Sequence, residues 1–120
     1  MCGKENNMTI NEYQKWISQF YKNRNWHQYN PFVRSNFLSE EVGEVCRSIR
    51  DIEIGRDRPD EKKNSYEVQL ENLTEELGDV LDNIFIIADK YDISLENIMT
   101  YHKEKLEKRY SEEKVIDTTF

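Results

Sequence analysis

The stretch from Asn72 to Lys90 constrains the fold most, because carboxylates there lie beside the densest apolar stripe in the sequence. At about 100° per residue, a helix gathers its apolar side chains on one broad face. That face holds Leu73, Leu77, Val80, Leu81, Ile84, Ile87 and Ala88. Glu76, Asp79 and Asn83 fall in a narrow arc along its edge. Because two carboxylates one turn apart on a partly desolvated edge repel each other, we expect a cation between them.

A second acidic segment, residues 40–45, repeats almost the same order of residue types as residues 75–80. On a helical wheel Glu40, Glu41 and Glu44 occupy one arc. The next arc is apolar and holds Leu38, Val42, Val45, Ile49 and Ile52. Two helices packed by these apolar stripes would place both acidic edges along the same seam. Ligation by oxygen atoms alone favours a hard cation, Mg²⁺ or Mn²⁺, over zinc.

Periodicity and capping signals predict four helices and no strands, which is an all-α, four-helix bundle. Thr9 and Glu12 form a capping-box start, Pro31 suits a first helical turn, and Ser94 suits an N-cap. The predicted helices cover about 10–23, 31–54, 67–90 and 95–109. We expect residues 1–8 and 111–120 to be frayed and the charged segment 55–66 to be an exposed connection.

Aromatic residues mark the first helix and the segment that follows it. At helical spacing the apolar residues of the first helix predict a core face, consisting of Ile10, Tyr13, Ile17, Phe20 and Tyr21. The loop at 24–31 holds Trp26, His27 and Tyr29, and it is either a stacking platform for a flat ligand or a hydrophobic plug over the bundle end. His102 lies in the apolar stripe of the last helix, where a core histidine is more common than a ligand.

Length and charge limit the classes of function. A chain of 120 residues predicts a single domain spanning 1–120. The net charge of −7 argues against bulk nucleic acid as a partner, so an anionic ligand would need metal ions as mediators. Cys2 and Cys46 are too far apart in sequence to suggest a disulfide framework or zinc cluster, which favours a reducing, cytoplasmic setting. No apolar run indicates a signal peptide or a membrane span.

Three segments together resemble a known family. The first pairs Glu40-Glu41-x-x-Glu44 with Glu76-x-x-Asp79, the second is Trp26-x-Gln28-Tyr29, and the third is the basic ending Lys105-x-x-Lys108-Arg109-Tyr110. Over about residues 13–110 the chain resembles small members of the MazG-like all-α nucleoside triphosphate pyrophosphohydrolases. It departs from their pattern in a longer connection between the acidic sets and in lacking the usual asparagine of the basic ending.

The resemblance implies Mg²⁺-dependent hydrolysis of a nucleoside triphosphate to the monophosphate and pyrophosphate, in the clearing of nucleotide pools, with Mn²⁺ as a substitute metal. It also implies a fold of the all-α NTP pyrophosphatase type and a homodimer or homotetramer. By position, the implied metal ligands are Glu41, Glu44, Glu76 and Asp79. Glu40 and Glu41 are the implied catalytic residues, with Glu40 either a further ligand or the base that orients the attacking water. The implied substrate-binding residues are Trp26 for the base, Asn83 for the sugar or a metal-bound water, and Lys105 and Arg109 for the phosphates.

Two further hypotheses concern partners. A chain of this kind is alternatively a non-catalytic acidic helical module that binds a partner helix. Gly43 and Gly78 interrupt the two acidic helices, at a cost of about 1 kcal/mol each relative to alanine. On the wheel they lie away from the apolar stripe, as does Phe85. We therefore predict a homo-oligomer, at least a dimer, built on that second face.

Overall fold

The computed structural model describes residues 7–55, 59–60 and 62–112, and all regular secondary structure in these residues is helical. The helices are α1 (Ile10–Asn23), α2 (Pro31–Glu53), α3 (Tyr66–Lys90) and α4 (Leu95–Arg109). The all-α class predicted from the sequence is confirmed. Most of the ends expected to fray, 1–6 and 113–120, and part of the connection, 56–58 and 61, lie outside the described residues.

A polar side chain caps the start of every helix in the described part of the chain. The caps accept hydrogen bonds from backbone N–H groups three residues on, and they are Thr9, Asn30, Ser65 and Ser94. Asn25 and Asp92, at φ 61° and 56°, end α1 and α3 in the left-handed region that these two residue types tolerate. After α1 the N–H of Trp26 returns to the carbonyl of Tyr21 at 2.9 Å, so this turn fixes where Trp26 begins.

Helix α3 is the centre of the fold. It packs along α2, and α1 packs against it from another side, while α4 contacts α1. The core between α1 and α3 consists of Ile17, Phe85 and Ile86, with partly buried apolar side chains around it, namely Tyr13, Phe20, Tyr21 and Leu95. Tyr13 and Phe85 lie with ring centroids 5.1 Å apart. Ile10, which the sequence placed on the core face of α1, is exposed.

The placement of Phe85 on an outward face was wrong. Phe85 is 7% exposed and belongs to the core, whereas Leu77 and Leu81, placed on the core face by the helical wheel, are 46% and 50% exposed. A wheel shows which residues share a side, but it does not show where each neighbouring helix packs. Because α1 and α2 approach α3 from different directions, α3 buries Phe85 against α1 and places its acidic edge beside α2, which leaves the leucines uncovered.

Helix α4 contributes no buried residue to the chain. Its link to the rest of the fold is its first turn, where Leu95 packs on the core and the Leu95 N–H donates to Gln14 Oε1 at 2.9 Å. His102 is exposed, so the expectation of a core histidine was wrong for the single chain. The apolar stripe of α4 is therefore uncovered in the single chain.

Candidate active site

Carboxylates from two helices meet in one cluster. Glu41 on α2 and Glu76 and Asp79 on α3 each offer an oxygen atom, and these atoms lie within 4.8 Å of one another. The two acidic edges therefore share a seam, as the sequence predicted. We call this group the acid cluster. Its closely spaced carboxylate oxygens fit a hard divalent cation such as Mg²⁺.

The acid cluster is strained electrostatically without a cation. Burial, followed by repulsion from Asp79, raises the pKa of Glu41, and the same two causes raise that of Glu76. Burial, followed by repulsion from Glu75, raises the pKa of Asp79. The Glu41 and Glu76 side chains also hydrogen-bond each other. A bound cation would remove the repulsion among the three carboxylates.

Two other acids from the sequence motif lie outside the acid cluster. Glu44 is exposed and lies 3.9 Å from Arg47, yet it raises the pKa of both Glu41 and Glu76, so it is within electrostatic reach of the cluster. Glu40 is exposed and does not belong to the three-carboxylate group. The 3.9 Å contact of Glu44 with Arg47 is at the outer limit of an ion pair, so the exposed Glu44 side chain can rotate at little cost.

An aromatic cleft of about 260 Å³ adjoins the acid cluster. Its lining combines aromatic rings, one cation, one amide and two of the clustered acids. In chain order, the lining residues are Tyr21, Trp26, Tyr29, Arg34, Phe37, Glu41, Asp79 and Asn83. Trp26 packs edge-on against Tyr21, at 5.5 Å and 89°, and remains 43% exposed. Both sequence interpretations of the loop describe part of this arrangement, since the indole packs on α1 and also lines a cleft.

Arg34 is the site residue that the sequence reasoning missed. It is 5% exposed, and its guanidinium lies 5.1 Å from the Tyr21 ring and 5.0 Å from the Phe37 ring. Nη2 donates to the Trp26 carbonyl at 2.9 Å and Nη1 to Asn83 Oδ1 at 3.2 Å. Within the described part of the chain, its Nε is buried without a hydrogen-bond partner. The available signal was an arginine one turn into a helix that follows an aromatic loop.

Asn83 connects the aromatic cleft to the acid cluster. Its Oδ1 accepts from Arg34, and its Nδ2 donates to the Asp79 carbonyl at 2.9 Å. The side chain is 4% exposed. Asn83 thus lies on the same edge of α3 as Asp79, as the sequence predicted, and its amide oxygen binds Arg34 there.

A hydrogen-bonded tether holds the aromatic loop to the end of α3. His27 Nε2 and Ser18 Oγ each lie 2.7 Å from Asp89 Oδ2, and the Lys90 ammonium donates to the His27 carbonyl. Burial alone would raise the pKa of Asp89, but hydrogen bonds from Ser18 and His27 outweigh it and lower that pKa. The loop is therefore fixed at its middle as well as at its ends.

We expect Asp89→Asn to lower the free energy of unfolding by about 1–3 kcal/mol, because Ser18 and His27 lose a charged acceptor. Since the folded pKa of Asp89 lies below its ordinary value, this contribution is present at neutral pH and is lost as the pH falls through the folded pKa. Urea unfolding at several pH values measures both effects. The matched control is Asp92→Asn at the exposed turn that follows, and equal losses in the two variants would contradict the tether.

The basic ending of α4 does not line either the aromatic cleft or the acid cluster. Lys105 and Arg109 are exposed, and α4 packs against α1 rather than against the α2–α3 seam. Their assignment to the phosphates stays a prediction, and a single chain gives it no geometric support.

Comparisons with known proteins identify the family of this chain. Residues 34–113 match the family described as the MazG nucleotide pyrophosphohydrolase domain. The chain belongs to this family. It is also 52% identical over 103 residues to the uncharacterized protein YvdC of Bacillus subtilis (strain 168), a match that covers 86% of this chain and 97% of that protein. A comparison with solved structures finds no match.

The part of the chain that matches the MazG domain begins at Arg34 and contains the whole acid cluster, Asn83 and α4. Trp26 and the aromatic loop precede it. The aromatic half of the cleft is thus built partly from residues before the matched region. Among the described helices of this MazG domain protein, none is both long and apolar enough to cross a membrane.

Proposed function

We propose that this protein hydrolyses a nucleoside triphosphate to the monophosphate and pyrophosphate with Mg²⁺ as cofactor. The observation that carries the proposal is the acid cluster at the edge of an aromatic cleft, in a chain of the MazG domain family. Planar rings suit a nucleobase, and clustered carboxylates suit the cation that a triphosphate brings with it. A cytoplasmic role in clearing nucleotide pools accords with the free, exposed Cys46.

The residues of the chain have separable roles in this reaction. Glu41, Glu76 and Asp79 would hold the cation, and Glu44 would join them by rotating its exposed side chain. The cation would supply charge neutralisation and polarisation of the phosphoryl oxygens. Glu40, the residue before Glu41 on α2, would accept a proton from the attacking water. Trp26, Tyr29 and Arg34 would bind and orient the base.

The test is a screen of the eight common ribo- and deoxyribonucleoside triphosphates with and without Mg²⁺, with release of monophosphate and pyrophosphate followed separately. Thermal unfolding with Mg²⁺ alone provides a reading that needs no substrate. Cation binding to the native state raises the melting temperature. A chain that hydrolyses none of the eight and shows no shift with Mg²⁺ is a non-catalytic helical module, and the proposal fails.

We also propose that the protein is a homo-oligomer, built on an exposed leucine stripe on α3 rather than on Phe85. The stripe consists of Leu70, Leu77 and Leu81, which are spaced seven and four residues apart and are all exposed. Such spacing suits packing against another helix. Among the residues that the structure describes, no atom from outside the adjacent backbone lies within 4 Å of the position that a Cβ on Gly78 would take. A second copy approaching α3 would explain both features.

We expect the wild-type chain to sediment at a multiple of 14.5 kDa and Leu81→Glu to sediment at 14.5 kDa, because a carboxylate cannot be buried unpaired between two copies. Sedimentation equilibrium at micromolar concentration measures both masses. Gln19→Glu adds a carboxylate to an exposed position of α1 and is the control. A wild-type monomer would overturn the assembly proposal, and an oligomeric Leu81→Glu would exclude this stripe.

A further inference from the structure

A second cleft, of about 360 Å³, meets the acid cluster from the other end of the α2–α3 hairpin. Glu76 lines it together with Glu44, whereas the aromatic cleft is lined by Glu41 and Asp79. Because the oxygens of Glu41, Glu76 and Asp79 are within 4.8 Å of one another, the two clefts meet at the acid cluster. We call the second one the basic cleft.

The basic cleft has a charge pattern that a cation would convert into an anion site. Its lining holds the three cations Arg47, Arg50 and Lys62, and it also holds the three carboxylates Glu44, Asp51 and Glu76. These charges cancel. A divalent cation at the acid cluster would leave the cleft with a net positive charge, in a chain whose overall charge is −7.

The wall of the basic cleft is fixed by a contact between the two helices. Gln69 on α3 is 8% exposed, and its Nε2 donates to the Asp51 carbonyl at 3.0 Å and to Asp51 Oδ2 at 3.3 Å. The Asp51 carboxylate is therefore hydrogen-bonded to the Gln69 side-chain amide. Arg47 is two-thirds exposed and lies 3.9 Å from Glu44, a contact at the outer limit of an ion pair. The Arg47 guanidinium can therefore turn towards a ligand at little cost.

We propose that the basic cleft binds the two terminal phosphates of the substrate and retains them as pyrophosphate after cleavage. This inference rests on the proposed function and adds the orientation of the triphosphate along the two clefts. The base lies in the aromatic cleft, the phosphate next to the sugar lies at the acid cluster, and the terminal phosphates contact Arg47, Arg50 and Lys62. Guanidinium groups bind phosphate oxygens in pairs, which suits this assignment.

Binding of the terminal phosphates in the basic cleft and binding at the basic ending of α4 depend on different cations. If the cleft binds the terminal phosphates, the important cations are on α2 and on the segment before α3. If the ending does so, they are Lys105 and Arg109. The experiment compares wild type with two double variants. The cleft variant carries Arg47→Gln and Lys62→Gln, and the α4 variant carries Lys105→Gln and Arg109→Gln. Each protein is titrated with inorganic pyrophosphate in excess Mg²⁺, and calorimetry measures the binding. Lys63→Gln is the matched control, since Lys63 is the exposed neighbour of Lys62 and does not line the cleft.

We expect the cleft variant to bind pyrophosphate about 10²-fold more weakly, since each lost charged contact is worth about tenfold. The Lys63→Gln control should bind within about twofold of wild type. In steady-state kinetics the KM for the triphosphate should rise in the cleft variant, while inhibition by the nucleoside monophosphate stays unchanged because that product does not reach the cleft.

Three results would overturn the assignment. They are wild-type protein that does not bind Mg²⁺-pyrophosphate, a cleft variant that binds it as well as wild type does, and a loss confined to the Lys105/Arg109 variant. Failure of the proposed function is distinguishable from these results. A chain that binds pyrophosphate in the cleft but hydrolyses no triphosphate contradicts the reaction alone, whereas hydrolysis with unchanged pyrophosphate binding in the cleft variant contradicts the cleft alone.

Discussion

Glu76→Gln is expected to lower triphosphate hydrolysis by at least about 10²-fold while making the metal-free protein more stable. The activity falls because the cation loses one of its clustered carboxylates and with it several kcal/mol of charge stabilisation. The stability rises because the new amide removes one repelling charge beside Glu41 and Asp79 and can still bond Glu41. Turnover with Mg²⁺ and thermal unfolding without it measure the two effects.

The pH dependence of the metal-free protein gives the same prediction a second check. The folded pKa values of Glu41 and Glu76 lie above their ordinary value of 4.5, so the folded chain binds more protons than the unfolded chain in the window between the two values. Stability of the metal-free wild type therefore falls as the pH rises through that window. Glu76→Gln should reduce this slope. Glu71→Gln, at an exposed position of the same helix, should leave activity and slope unchanged. Near-normal turnover in Glu76→Gln would contradict the metal-site assignment.

Arg34→Met is expected to lower the free energy of unfolding by about 2–5 kcal/mol and to raise the KM for the triphosphate. The methionine fills much of the space, but it leaves the Trp26 carbonyl and Asn83 Oδ1 without their donor, at about 1–3 kcal/mol each. It also removes the cation from between the Tyr21 and Phe37 rings. Urea unfolding gives the stability, and steady-state kinetics give the KM.

The control for Arg34 is the same substitution at Arg24, an exposed arginine whose guanidinium lies 3.6 Å from the centre of the Phe20 ring. An exposed stacking contact is worth about 0.5–1 kcal/mol, so Arg24→Met should cost less than 1 kcal/mol. Arg34→Lys should not restore stability, because an ammonium cannot reach both acceptors in the geometry of a guanidinium. A loss at Arg34 no larger than at Arg24 would show that the buried arginine does not organise the cleft.

The local features of the fold were predictable because each depends on neighbours in sequence. Thr9 and Ser94 cap the helices that they were predicted to cap. The seam that brings Glu41 to Glu76 followed from two acidic edges, each beside an apolar stripe. Capping depends on residues three apart, and an amphipathic edge depends on residues three and four apart, so both are visible in a single sequence.

What could not be predicted depends on which helix packs where. The burial of Phe85 and the exposure of Leu81 are decided by the side from which α1 approaches α3. Arg34 belongs to the site because it binds the Trp26 carbonyl and Asn83. These partners lie 8 and 49 residues away along the chain. No periodicity links such positions. A charged residue at the start of a helix is usually exposed, and here the surrounding rings and acceptors make its burial favourable.

The position of α4 has a consequence for hydrogen exchange. A helix of 15 residues is marginal in water when it stands alone, and α4 buries none of its own residues in the chain. Its amide hydrogens beyond the first turn should therefore exchange at rates near those of an isolated peptide helix. Ile86 in α3 is fully buried, so the amide hydrogens around it should exchange only when the core opens. A second copy that covered the α4 stripe of Ile98, Met99 and Leu106 would slow that exchange, so the protection of this one helix measures how much of its surface other chains occupy.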